Sequence, residues 1–163
     1  MSIVNLHTQG VLEAQFNPTE LTESLGAKYA DEVVPGLSHP VRQFVHTESQ
    51  VLDVNLYFDS ISAGKAQHAR NSEARKFLMA ACFPRRMASN LRSAGAPRLL
   101  FVWPGLISLT CTLDKLKFGY TLMNTDAAPT VFTASCTLTE IRDTLLTCED
   151  VLNMGSERTG LAF

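Results

Sequence analysis

Residues 50–59, QVLDVNLYFD, alternate apolar and polar side chains more regularly than any other part of the sequence. A period of two over this length is typical of a β-strand with one buried face. Four apolar side chains share one face and four side chains with hydrogen-bonding groups share the other: Leu52, Val54, Leu56 and Phe58 against Asp53, Asn55, Tyr57 and Asp59. The stretch therefore predicts a half-buried strand, whose partners must come from the rest of the chain.

Other stretches are also predicted as strands, from alternation or apolar content: 11–16, 41–45, 98–103, 106–122 and 131–141. Within 106–122 the apolar positions change from odd to even numbers at Asp114-Lys115, which indicates a β-bulge. Residues 124–129, NTDAAP, have the composition of a hairpin turn. Residues 19–33 are polar and include Gly26, so an extended or looped segment is expected there.

One helix is predicted at about residues 65–83, where good helix formers replace β-branched residues. A thin apolar stripe at spacings of three and four faces the protein: Ala63, Ala66, Arg70, Ala74, Phe77, Leu78 and Ala81. Strands, one helix and then more strands predict an α+β fold, an antiparallel β-barrel or sandwich with a single packed helix. Residues 1–141 are expected to form this domain, and residues 142–163 a C-terminal arm, either extended or a short helix.

Basic residues are concentrated in the helix region. Between Lys65 and Arg98 there are eight basic residues and one acidic residue, Glu73, which leaves six of the 14 basic and fifteen of the 16 acidic residues for the rest of the chain. Such a dipolar chain suits head-to-tail contact with another copy or with an acidic partner. Nucleic acid is the other candidate partner, but aromatic residues are hardly interleaved with these arginines and the pI is about 6.1. The pattern favours a solvated or interface surface.

No motif for catalysis, for a cofactor or for metal binding is found. The sequence has no G-x-S-x-G, no phosphate-binding loop and no H-E-x-x-H. Cys82, Cys111, Cys136 and Cys148 include no C-x-x-C pair, so zinc is not indicated. They are expected to be reduced core cysteines, with a disulfide in an oxidising compartment as the alternative. A structural protein rather than an enzyme is therefore expected.

Membrane insertion is also not indicated. No run approaches the roughly 18 continuous apolar residues of a membrane helix. The first residues, MSIVNLHTQG, lack a basic start followed by an apolar block, so a cytosolic, unprocessed product is expected.

Several motifs occur together in one order: FNPTE at 16–20, PGLSHPVRQF at 35–44, LYFD at 56–59, FVWPG at 101–105 and AAP at 127–129. In this order the sequence resembles the tube-type N-terminal domain of contractile injection system and phage baseplate proteins. The resemblance spans roughly residues 11–141. It implies a β-barrel-like tube fold that assembles as a ring of six at the base of a tail tube.

The resemblance also implies partners and a location. Such rings join the spike hub protein to the tail tube protein and attach outward to baseplate wedge proteins, in a virion tail baseplate or injection particle assembled in the bacterial cytoplasm. DNA is a partner only if the bore passes it. Many members carry a LysM module after this domain, and residues 142–163 are too few for one.

The segment VPGLSHPVRQFV, residues 34–45, is the part most specific to that family. Its prolines restrict the backbone and its glycine permits a sharp bend, which predicts a rigid loop. A rigid loop with exposed His and Arg suits docking on an adjacent subunit better than gating a pocket. The predicted subunit interface comprises Pro35, Gly36, Leu37, His39, Pro40, Arg42, Arg70, Arg75, Arg85 and Arg86.

A different class of function is compatible with the same strands. A closed antiparallel sheet also occurs in small-ligand- or peptide-binding β-barrels of the lipocalin kind, which are monomers with a deep apolar pocket. That is the alternative hypothesis.

Overall fold

The computed structural model describes residues 1–61, 64–85, 95–124 and 129–157, with the backbone alone for 64–66 and 153–157. Within these residues seven antiparallel strands form one sheet in the order β2-β1-β7-β8-β9-β6-β3, and β4 and β5 form a separate ribbon. The strands are β1 (Ser2–Asn5), β2 (Val11–Glu13), β3 (Leu21–Ser24), β4 (Ala27–Glu32), β5 (Val41–Thr47), β6 (Val51–Asp59), β7 (Leu99–Trp103), β8 (Ile107–Met123) and β9 (Pro129–Glu140). The helices are α1 (Gly64–Ala81) and α2 (Cys148–Glu157).

The predicted strand at 50–59 lies near one end of the sheet as β6, with its apolar face buried as expected. Leu52 pairs with Leu138 of β9 and Phe58 with Phe132, so the apolar faces of both strands coincide. The rings of Phe58 and Phe132 stack with centroids 4.8 Å apart. Antiparallel pairs of this kind stabilise a sheet through their cross-strand side-chain contacts.

The bulge predicted at Asp114-Lys115 is confirmed. The pairing of β8 with β9 shifts between Leu113 and Lys115, which leaves Asp114 without a paired residue. The carboxylate of Asp114 accepts hydrogen bonds from the hydroxyls of Thr112 (3.0 Å) and Thr139 (2.6 Å). The extra residue thus explains why the apolar positions of β8 change parity.

Helix α1 packs on the sheet through small and apolar side chains. Ala74, Leu78 and Ala81 are buried in the core, and Phe77 packs against it. Arg70, placed on this stripe by its spacing, is exposed. The α+β class with one packed helix is confirmed.

The sheet is not closed into a barrel, so this part of the predicted architecture needs correction. Among the described strands, β2 pairs only with β1 and β3 pairs only with β6, and both are therefore edge strands. The closed barrel on which the alternative lipocalin-like hypothesis depends is absent from this part of the chain. Hydrogen bonds between Gln15 after β2 and Asp59 at the end of β6 bridge the gap between the two ends of the sheet.

Three strands lie outside the stretches that were predicted as strands. Residues 19–33 contain β3 and β4, so the segment is extended, which was one of the two expectations, and β1 precedes the first strand that was predicted. The segment after residue 142 contains α2, in keeping with the short helix that was one of two expectations. The division into a domain and a C-terminal arm stays a prediction, and the turn predicted at 124–129 lies mostly outside the described residues.

Candidate functional site

The predicted interface loop forms the end of a β-hairpin, made of β4, β5 and the residues between them. We call residues 27–47 the arm and residues 33–40 the arm tip. In the tip, the N–H of Leu37 donates to the carbonyl of Val34 (3.2 Å) and Gly36 has φ of +96°. Proline at the second position and a positive φ at the third fit a type II turn. Pro35, Gly36 and Leu37 belong to this turn, and His39 and Pro40 follow it in the same exposed loop.

The body of the arm is exposed along its whole length. Every residue of β4 and of β5 is exposed, including Phe44 at 59%. The guanidinium of Arg42 lies 4.3 Å above the ring centroid of Tyr29, and the rings of Tyr29 and Phe44 meet edge to face at 5.8 Å. A lone two-stranded hairpin is marginally stable in water. An exposed aromatic ribbon of this kind is a surface suited to contact with another molecule.

The predicted arginines of the helix region have different environments. Arg70 is exposed on α1. Arg75 donates to the Tyr120 hydroxyl (2.7 Å) and lies 5.6 Å from the ring centroid of Phe118, so it joins α1 to β8. The backbone N–H of Arg85 donates to the carbonyl of Gly95 (3.2 Å), and its side-chain Nε has no partner among the described residues. Arg86 lies outside the described residues.

The two edges of the sheet were not among the predicted site residues. Strands β2 and β3 each leave one row of backbone groups unpaired by any described strand. Unpaired edges of this kind are templates for pairing with another chain. The sequence predicted a strand at 11–16, which contains β2. Its position at an edge could not be predicted, because that position depends on the order of all the strands in the sheet.

The face of the sheet opposite the core is polar and rich in hydroxyl groups. It includes Thr133, Ser135, Thr137 and Thr139 of β9, as the alternation predicted. The Thr137 hydroxyl donates to the carboxylate of Asp53 on β6 at 2.6 Å. Lys115 and Lys117 of β8 pair with Thr137 and Ser135. This face therefore presents hydrogen-bonding groups and charges of both signs to whatever space it borders.

The cysteines separate into two buried and two exposed thiols, all free. Burial raises the pKa of Cys111 and of Cys136 to about 12, so both stay protonated. Cys82 and Cys148 are exposed, which corrects the expectation that all four belong to the core.

Among the described residues no cluster of three or more His, Cys, Asp or Glu could hold a metal ion. In the same part of the chain no helix has the length and apolar character needed to cross a bilayer.

The C-terminal helix α2 begins with a capping box. The Thr147 hydroxyl accepts from the N–H of Asp150 (3.2 Å), and the Asp150 carboxylate accepts from the N–H of Thr147 (2.8 Å). The carboxylate of Asp150 also accepts from the Thr147 hydroxyl (2.8 Å), and its two hydrogen bonds, from the N–H and then from the hydroxyl of Thr147, lower the pKa of Asp150. Val151 and Leu152 of the same helix are exposed, so part of its apolar face is uncovered in the single chain.

Residues 4–147 match the family model described as contractile injection system tube protein. No protein of curated function matches the chain.

Proposed function

The chain belongs to the contractile injection system tube protein family, whose role is structural, and we propose that it forms a ring of six at the baseplate that joins the spike hub to the tail tube. The observation that carries this proposal is the pair of open edges at opposite ends of one sheet, together with an arm that is exposed throughout. In a single chain the two edges leave backbone hydrogen-bonding groups unpaired by any described strand, and the arm leaves apolar side chains exposed to water.

A closed ring satisfies the two edges. Edges β2 and β3 differ from each other, so contact between them is heterologous, and a heterologous contact repeated around an axis forms a closed ring when the rotation between neighbouring copies closes. Each copy then presents one edge to the copy before it and the other edge to the copy after it. In such a ring no edge remains open to further pairing, which avoids aggregation.

The polar face of the sheet suits the bore of that ring. Its hydroxyls and charges of both signs tolerate water on one side while the opposite face packs on α1 and the core. In this proposal the arm lies outside the bore and contacts neighbouring copies through the predicted interface residues that it contains: Pro35, Gly36, Leu37, His39, Pro40 and Arg42. The predicted arginines of the helix region belong to the same proposed interface: Arg70, Arg75, Arg85 and Arg86.

The proposed partners follow from the position of the ring. They are further copies of the chain, a spike hub protein on one side, a tail tube protein on the other and baseplate wedge proteins outside. The proposed location is the baseplate of a phage tail or of an injection particle assembled in the bacterial cytoplasm. No catalysis, cofactor or metal is part of the proposal.

Negative-stain microscopy of the purified chain, with and without the hub and tube proteins of its own particle, tests the proposal. Rings of six with a central channel are the expected result. A variant in which residues 28–46 are replaced by Gly-Ser-Gly removes most of the arm and leaves the sheet, so it should stay folded and form fewer rings. A chain that remains monomeric at high concentration and with both partner proteins present would contradict the proposed function.

A further inference from the structure

A groove of about 940 Å³ lies between the base of the arm and helix α2. Leu25 and Phe44 line the side that belongs to the arm, which we call the arm wall, and Val151 and Leu152 of α2 line the other side. Residues 106–109 also line the groove, and they include side chains that belong to the apolar core or pack against it. The groove is therefore continuous with the core.

The two walls are apolar and uncovered in this structure. Leu25 is 61% exposed and Phe44 is 59% exposed, while Val151 is 56% and Leu152 is 74% exposed. Contact between the walls would remove all four side chains from water at once. Burial of apolar surface is the main favourable term in such packing. Each wall thus lacks a cover that the other wall can supply.

Helix α2 turns its apolar face to the groove. Cys148, Val151 and Leu152 line the groove at spacings of three and four, so they share one face of the helix. The two acidic residues of the first turn, Glu149 and Asp150, do not line it. Closure of the groove would therefore bury apolar side chains of α2 and leave its carboxylates in water.

Charge does not oppose closure. The groove contains the carboxylates of Glu23 and Glu140. Glu140 is paired with Arg142 at 2.7 Å, and the carboxylate of Glu23 accepts a hydrogen bond from Nε2 of Gln50 at 3.1 Å. Both carboxylates therefore have partners of their own on the sheet side of the groove.

The segment that joins α2 to the sheet is fixed at both ends and free between them. At its start the N–H of Ile141 donates to the carbonyl of Thr110 (2.8 Å), and at its end the capping box of Thr147 fixes the first turn of the helix. Between these points residues 144–146 make no hydrogen bond with the described residues. Leu145 is 99% exposed. These three residues can therefore serve as a hinge.

We propose that α2 is a strap, which turns about residues 144–146 and closes the groove in the single chain. Val151 and Leu152 then pack on the arm wall, whereas Cys148, the first residue of the helix, lies nearest the hinge and moves least. Because α2 is tethered beside the groove, it loses less freedom on docking than a separate molecule would.

The closed strap affects the arm. Phe44 belongs to the aromatic surface of the arm through its contact with Tyr29, and closure covers it. A neighbouring copy must then displace α2 to contact that surface. This competition rests on the proposed function, whereas closure of the strap does not.

Disulfide formation within the full chain tests closure. Cys82 and Cys148 are first replaced by Ser, because both are exposed. Thr47→Cys, beside the arm wall, is then combined with Leu152→Cys, and a disulfide within one chain is expected on mild oxidation of a dilute sample. The control combines Thr47→Cys with Glu149→Cys, on the same helix but outside the groove lining. Equal rates for the two pairs, or cross-links only between chains, would overturn the proposal.

Val151→Ser shows whether apolar contact drives closure. In the chain with the two introduced cysteines it should slow disulfide formation by about 3- to 10-fold, because closure buries the valine side chain. Val11→Ser is the matched control, since Val11 is 57% exposed and lies outside this groove. It should leave the rate unchanged. An unchanged rate in Val151→Ser would overturn the proposal, because proximity alone would then explain the cross-link.

The oxidised and reduced forms of the same two-cysteine chain test the competition. The oxidised form should give about 10-fold fewer rings by negative-stain microscopy, because its arm is held in the covered state, and reduction should reverse the loss. Equal ring yields from both forms would refute the competition and leave the proposed ring standing. A chain that stays monomeric in both forms, with the hub and tube proteins present, would refute the proposed function, and the cross-linking rates would still decide closure.

Discussion

The side chain of Gln15 is hydrogen-bonded to both backbone groups of Asp59: its Nε2 donates to the carbonyl at 2.7 Å and its Oε1 accepts from the N–H at 2.9 Å. The amide thus pairs with β6 in the way that a neighbouring strand would. The rings of Phe16 and Tyr57 contact each other beside it, with centroids 5.8 Å apart. One side chain and one aromatic pair therefore hold the two ends of an open sheet together.

Gln15→Ala should lower the free energy of unfolding by about 1–3 kcal/mol, because two hydrogen bonds are lost and the backbone groups of Asp59 lose these partners. Urea unfolding followed by tryptophan fluorescence measures the change. Gln43→Ala is the control, since Gln43 is exposed on the arm and makes a side-chain bond to Glu32; it should change stability by less than about 0.5 kcal/mol. Equal effects of the two substitutions would show that the bridge contributes nothing specific.

Arg75→Ala should destabilise the chain by about 1 kcal/mol, since the guanidinium joins α1 to β8 through Tyr120 and Phe118. A double-mutant cycle with Tyr120→Phe isolates the hydrogen bond between them, with an expected coupling of about 0.5–1 kcal/mol. Arg70→Ala is the matched control on the same helix, because no ion pair or ring contact is found for Arg70 in the described residues. Additive effects in the cycle would mean that the hydrogen bond between Arg75 and the Tyr120 hydroxyl does not contribute to stability.

The four thiols should separate by reactivity in the folded chain. Cys111 and Cys136 should resist a thiol reagent at pH 8, because they are buried and their pKa values are raised to about 12. Cys148 should react readily, and Cys82 should react more slowly and accelerate as pH rises, because partial burial raises its pKa. Mass spectrometry of the labelled chain gives the order, and denaturant should make all four equally reactive. Labelling of Cys111 or Cys136 without unfolding would contradict the buried placement.

The cap of α2 should weaken in acid. The Asp150 pKa is lowered in the folded chain by hydrogen bonds from Thr147, so the cap is fully formed above the ordinary aspartate pKa and is lost as pH falls through the lowered value. An NMR titration of the Asp150 carboxyl should give a midpoint below that of an unstructured aspartate. In Thr147→Val the midpoint should return part of the way toward the ordinary value, because the hydroxyl is lost and the backbone N–H of residue 147 remains, whereas in Thr144→Val it should not change. An unshifted midpoint in the natural chain would rule out the capping box.

Alternation predicted the core strands because their neighbours bury one whole face. Leu52 to Phe58 and Phe132 to Leu138 lie in the middle of the chain's apolar core, where a period of two has a direct energetic cause. The arm had no such signal, since both faces of β4 are exposed and its residues AKYADE follow no apolar period. The open edges could not be predicted either, because they follow from the order of strands in space.

The sequence contains Pro-Gly twice, and the two glycines should respond differently to the same substitution. Gly36 and Gly105 both have positive φ, +96° and +77°, and at neither would an added Cβ meet any atom within 4 Å. Alanine at either position therefore costs only backbone strain, on the order of 1–2 kcal/mol. Gly105 follows Pro104 in the turn between β7 and β8, where the N–H of Leu106 donates to Trp103 (3.0 Å), so strain there acts on the main sheet. Gly36 lies in the arm tip, and the strands of the arm are exposed, so strain there does not act on the main sheet.

Gly105→Ala should thus lower the free energy of unfolding by about 1–2 kcal/mol and leave the ability of the folded chain to assemble unchanged. Gly36→Ala, alone or with Pro35→Ala, should leave the unfolding midpoint within error and reduce ring formation. Gly95→Ala is the control for both, because Gly95 also has open space around it and no positive φ. Urea unfolding and counting of rings by microscopy give the two readouts. Normal ring formation by the Pro35 and Gly36 double variant would contradict a role of the arm tip in assembly, since the turn would have changed and assembly would not.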